Sequence, residues 1–120
     1  MRMWCVDPEI MCRNHLLGEH FETHMFLSHI NSGKGFRGYV TGNKLEVLSL
    51  VNRHDELVEE MKRRGYNHKS PIDEPDLRLV RNDQEEYIDG CIDTKKSLKE
   101  LLGRCDKCRE RYNKKHQGLV

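Results

Sequence analysis

No apolar run in the sequence approaches the roughly 20 residues that a helix needs to cross a bilayer. The opening Met1-Arg2-Met3-Trp4 lacks the long greasy segment of a signal peptide, so the expectation is a soluble, cytoplasmic protein with no membrane partner. Cysteine is present but odd in number: Cys5, Cys12, Cys91, Cys105 and Cys108. With no export signal, that count argues against a disulfide framework and for reduced thiols. No charge sign dominates either, with 21 Lys+Arg against 20 Asp+Glu. What is present in quantity is polarity. Charged residues make up 34% and hydrophobic residues 36% of the 120, which leaves a small core under a polar surface but excludes a disordered chain.

The near-zero net charge conceals a polarised distribution. Residues 1–72 carry 10 basic and 9 acidic side chains, residues 73–93 carry 2 and 8, and residues 94–120 carry 9 and 3. Local potential, not net charge, attracts phosphate, so such a chain can still present a positive face to nucleic acid. Solvated Lys and Arg at a helix end are the alternative.

Asp7-Pro8-Glu9 signals a helix start, because Asp can cap free amides and Pro has no N–H to lose in the first turn. The spacing predicts a helix from there to about Asn31, with Gly18 able to divide it. Leu17, Phe21 and Met25 form one apolar row on it, and Leu16, Leu27 and Ile30 another, so it is expected to be central and packed on two sides. The glycine-rich stretch 33–43 reads as a loop able to lie close to a phosphate, or as a plain connector. A second helix carries the stripe Val47, Leu50, Val51, His54, Leu57, Val58 and Met61 and ends at Lys62-Arg63-Arg64-Gly65. Residues 67–76, with two prolines, form a loop. A third helix is expected through Ile88 and Leu102, capped by Asn82 or Asp83, before a short basic segment, Asp106 to Lys115. The expected fold is all-α: one compact domain, residues 1–120, a bundle of three main helices with long loops.

The densest chemistry lies between His15 and His24. At 100° per residue His15, Glu19 and Glu22 fall within about a 60° arc of one helical face. Such a stripe suits general acid/base work or a metal; the alternative is a solvated face with local hydrogen bonds. His20 and His24 stand four apart, but the order His-Phe-Glu-Thr-His lacks the Glu directly after the first His that a zinc protease requires. Cys105-Asp106-Lys107-Cys108 is a C-x2-C pair without a second pair, so a zinc site there needs Cys5, Cys12, Cys91 or a histidine to complete it. The N-terminal α-amine is a further candidate. Its reference pKa, about 7.7–8.0 against about 10.4 for lysine, makes it the amine most available as free base, and such amines form Schiff bases. Only a carboxylate held nearby would make it catalytic.

The arm Met1-Arg2-Met3-Trp4 with Val6-Asp7-Pro8, the helix His15-Leu16-Leu17-Gly18-Glu19 with Glu22, and the stretch Arg53 to Asn67 ending Arg63-Arg64-Gly65-Tyr66-Asn67 resemble the pyrimidine-dimer DNA glycosylases of the phage endonuclease V type. The resemblance spans roughly the first seventy residues. It implies a helical catalytic part over 1–72, followed by an acidic and then basic helical part over 73–120. It also implies damaged double-stranded DNA as partner, no metal or redox cofactor, and a monomer. By this resemblance the terminal α-amine of Met1 is the nucleophile, attacking C1′ of the damaged nucleotide. Glu22, seven residues after His15, is the catalytic carboxylate. Arg2 carries over as the arm's arginine, and its bulk should keep the initiator Met in place. Arg13, His15, Lys34 and Arg37 are expected to contact DNA, the first and last two from charge and position. Family members acting on thymine dimers flank the glutamate with arginines, whereas this sequence has Phe21 on one side and His24 or Met25 on the other. The competing readings are a noncatalytic helical nucleic-acid-binding module and a small zinc-stabilised domain.

Overall fold

Asp7-Pro8-Glu9 does start a helix, but a short one. A computed structural model, which describes residues 1–68 and 71–117, has a single 3-10 turn at Pro8–Ile10, with the Asp7 carboxylate accepting from the Glu9 amide. Met11 and Cys12 are extended, and helix α1 begins only at Arg13, running to Asn31. The expected continuous helix is interrupted because Arg64 donates to the carbonyls of Pro8 (3.1 Å) and Met11 (2.8 Å). Arg64 thus takes up the Met11 carbonyl and shares that of Pro8 with the Met11 amide, which closes the 3-10 turn. Gly18, by contrast, does not divide α1.

Helix α2 (Arg37–Thr41) occupies part of the glycine-rich stretch, and α3 (Leu50–Arg63) is the expected second helix, entered through a 3-10 turn at Val47–Ser49. Gly65 (φ +83°) ends it: the Tyr66 amide donates to Met61 O and the Gly65 amide to Lys62 O, the paired bonds that a left-handed C′ glycine permits. Gly33 (φ +76°) closes α1 in the same way. The expected third helix is shorter than the periodicity suggests. Asn82–Tyr87 is a 3-10 turn, and α4 runs Thr94–Arg104 from an Asp93 cap. The basic segment after it forms α5 (Asp106–His116). Among the described residues there is no strand, and the fold is the all-helical bundle expected. No described helix is long and apolar enough to cross a membrane.

Helix α1 packs on α3, α4 and α5 pack on each other, and α5 packs on the Pro8–Ile10 turn. The buried face of α1 is Leu16, Glu19, Thr23, Phe26 and Ile30, a strict 3-4 repeat that includes two polar residues. The expected row Leu17-Phe21-Met25 is not an inner face: Phe21 is 62% exposed and Met25 42%. The reason is Arg53, which enters the core from α3 and draws the Glu19 carboxylate inward with Nε–Oε2 2.5 Å and Nη2–Oε1 2.9 Å. The N-terminal arm is part of the core. Met3, Trp4 and Val6 are buried, each contributing roughly 1.5–3 kcal/mol by area. The arm is also tied by the Met3 amide to Lys44 O (2.6 Å), by Arg53 Nη1 to Val6 O (2.6 Å), and by the Ser97 hydroxyl to Trp4 O.

Candidate active site

Because the arm is buried from Met3 onward, Met1 emerges at one defined place. It lines a cleft of about 410 Å³ together with Glu22 and His15 of α1, Lys44 after α2, and Glu100 and Arg104 of α4. The Arg2 amide donates to Glu22 Oε2 at 3.2 Å, so this carboxylate touches the backbone one residue from the N-terminus. All three groups on the expected stripe line the cleft; both oxygens of Glu19 are bound by Arg53, whereas Glu22 is half-buried and bonded only to the Arg2 amide among the described residues. Burial, and then the nearby Arg104, hold the His15 imidazole below its usual pKa against the opposing pull of Glu22.

The remaining expected residues separate. Arg2 is buried and turns back into the protein. Its guanidinium donates to Glu100 (2.7 Å) and Ser97 (3.3 Å) and stacks 3.7 Å above the Trp4 ring. Arg13, Lys34 and Arg37 are exposed and lie outside the lining of the cleft. The cations that do line it beside Arg2 are Lys44 and Arg104, both exposed at its rim. Sequence reading missed both, since they come from a loop and from the C-terminal part, with no spacing to connect them to Glu22. The basic helix α5 docks on the start of the chain: Lys115 pairs with Asp7 and Glu9, and Arg111 donates to Glu9 O. Burial notwithstanding, Lys115 and the Glu9 amide keep the Asp7 carboxyl below its ordinary range.

The cleft thus gathers Met1, a carboxylate bonded to the amide of the next residue, and two exposed cations. The family model described as pyrimidine dimer DNA glycosylase matches residues 1–74. The chain belongs to the pyrimidine dimer DNA glycosylase family. Comparisons with curated proteins and with solved structures give no match. The glycosylase-family segment supplies the arm, α1 and α3, hence Met1 and Glu22, while Arg104 and Glu100 come from residues beyond it. Family membership indicates DNA repair and a DNA partner. Among the described residues, two groups of side chains able to ligate a metal flank α1: Cys12, His15, Cys105 and Cys108 at its start, and His20, His24, His54 and His68 further along. Cys5 and Cys91 belong to neither.

Proposed function

We propose that this protein is a DNA glycosylase with AP-lyase activity on pyrimidine dimers or related lesions, working through the α-amine of Met1 and the carboxylate of Glu22. The single observation that carries this reading is the bond from the Arg2 amide to Glu22 in a cleft that Met1 lines. The free amine attacks C1′ of the damaged nucleotide, the glycosidic bond breaks, and the base leaves with its electron pair. Loss of a proton from nitrogen and opening of the sugar give an imine. Glu22 stabilises the positive charge developing at C1′ and then takes the C2′ proton, and β-elimination breaks the C3′–O bond. The steps use only the amine, the carboxylate and the sugar.

Lys44 and Arg104, which line the cleft, would hold the phosphates flanking the extruded nucleotide. Arg2 acts from within: through Ser97, Glu100 and Trp4 it fixes the arm, and so the amine, against Glu22. Arg13, Lys34 and Arg37 are left for phosphates further along the duplex. Strand cleavage of duplex DNA carrying a pyrimidine dimer or an abasic site tests the reading. Protein with a free Met1 amine is expected to cleave, and the same protein N-acetylated is expected to be inactive while still binding DNA. Equal cleavage by both would exclude the amine. Binding without cleavage by either would leave a noncatalytic DNA-binding module.

A further inference from the structure

We propose that the protein holds two structural transition-metal ions, one on each side of α1's N-terminal half: zinc on Cys12, His15, Cys105 and Cys108, and a second divalent ion on His20, His24, His54 and His68. The first site joins two identical spacings at two helix starts. Cys12 and His15 open α1; Cys105 and Cys108 open α5. Their ligand atoms all lie within 4.8 Å of one another. Cys12 Sγ is 3.8 Å from Cys105 Sγ and 3.2 Å from His15 Nδ1, and Cys108 Sγ is 3.6 Å from that nitrogen. Zn–S bonds of about 2.3 Å and Zn–N bonds of about 2.0–2.1 Å arranged tetrahedrally require edges of about 3.8 Å between sulfurs and about 3.5 Å between sulfur and nitrogen. The sulfurs also accept backbone amides, Cys12 N to Cys108 Sγ (3.2 Å) and Cys108 N to Cys105 Sγ (3.5 Å), which suits thiolates at helix N-termini. A closed four-ligand shell has no open position for substrate, so its role is structural. It bolts residues 105–108, outside the family-matched segment, onto the first turn of α1, and with them Arg104 at the cleft.

A different set of observations carries the second site. His20 and His24 share a face of α1, His54 comes from α3, and His68 follows the Gly65 turn. Ring centres of His20–His24, His20–His54, His20–His68, His24–His54 and His54–His68 are 4.8–5.2 Å apart. Four imidazoles on one tetrahedral ion require ring centres about 5 Å apart at Zn–N of about 2.0–2.1 Å. Nε2 of His20 and of His68 is buried without a hydrogen-bond partner, although both atoms are strong polar groups. Asp55 Oδ1 lies 3.0 Å from His54 Nδ1, the carboxylate–histidine arrangement that leaves Nε2 to the metal. Imidazole donors select zinc or a neighbouring first-row divalent ion.

Metal analysis of the full-length protein, loaded with zinc and then desalted, tests both sites. The expected content is two equivalents per chain. Cys105→Ser/Cys108→Ser is expected to lose one, and His20→Asn/His24→Asn the other. With Co(II) as probe, the parent and the histidine variant are expected to show thiolate-to-metal charge transfer in the near ultraviolet, and the cysteine variant none. The parent's own zinc content and Co(II) spectrum decide the matter even where a variant fails to fold. A desalted parent with no retained zinc overturns both sites. One equivalent with thiolate charge transfer overturns the histidine site alone, and one equivalent without it overturns the cysteine site alone. None of these readouts depends on enzymatic activity, so they stand apart from the proposed reaction.

Discussion

Removing the Glu19 carboxylate should unfold the protein far more readily while leaving its chemistry in place. Arg53 is 3% exposed, and its guanidinium meets Glu19 at 2.5 and 2.9 Å and Val6 O at 2.6 Å. Glu56 touches it at 3.3 Å from the rim, too exposed to replace a buried partner. Glu19→Gln strands a buried cation, which costs about 3–5 kcal/mol. For a domain of this size that is a fall in Tm of about 10–20 °C. The double variant Glu19→Leu/Arg53→Met removes the stranded charge but leaves Val6 O without its donor, a cost of about 1–3 kcal/mol. The double variant should therefore be more stable than the single one. Urea titrations followed by circular dichroism measure both, and strand-cleavage assays well below the lower Tm report on chemistry. An unchanged Tm in Glu19→Gln would refute the reasoning. So would a folded Glu19→Gln as inactive as a Glu22 variant, because Glu19 would then be a catalytic carboxylate and not the anchor of Arg53.

Glu22→Gln should lower strand cleavage by about 10²–10⁴-fold, the usual worth of a general base, with Tm nearly unchanged because the group is half-exposed; single-turnover kinetics and calorimetry check the pair. Lys44→Ala and Arg104→Ala should each weaken DNA binding across all sequences and reduce the slope of log K against log salt by about 0.9, as loss of one phosphate contact does, read from anisotropy titrations. Glu60 is buried, yet Arg64 and Arg63 hold its carboxyl below the ordinary glutamate value against the upward push of burial. A depressed folded pKa contributes stability above the unfolded value near 4.5, and that stability is lost as pH falls through the lower folded value. Stability should thus drop on acidification below pH 4.5, and the part due to Glu60 should vanish in Glu60→Gln, measured by urea midpoints across pH.

Helix α3 was legible because its apolar stripe is unbroken from Val47 to Met61, and even His54 on that stripe is buried. Helix α1 was legible as a helix but not as a face. Its inner row includes Glu19 and Thr23, and only a partner 34 residues away in sequence makes burial of Glu19 tolerable. Counting apolar residues therefore turned Phe21 and Met25 inward when both face solvent. In the candidate site, Met1 and Glu22 are named only through the family resemblance carried by the arm and the His15–Glu22 stretch. The inward turn of Arg2 was not legible, because Ser97 and Glu100 lie nearly a hundred residues away. The same holds for the metal-ligating clusters. His20 and His24 are visible as an i, i+4 pair, but His54 sits in an apolar stripe and His68 in a loop, and only the packing of α1 on α3 brings them together.

Borohydride reduction during turnover tests the central claim most directly. Protein with an unmodified N-terminus, incubated with abasic-site or pyrimidine-dimer duplex and borohydride, is expected to give one covalent protein–DNA adduct. Digestion and mass spectrometry should place that adduct on the Met1 α-nitrogen. An adduct on a lysine side chain, or none with either substrate, would contradict the account.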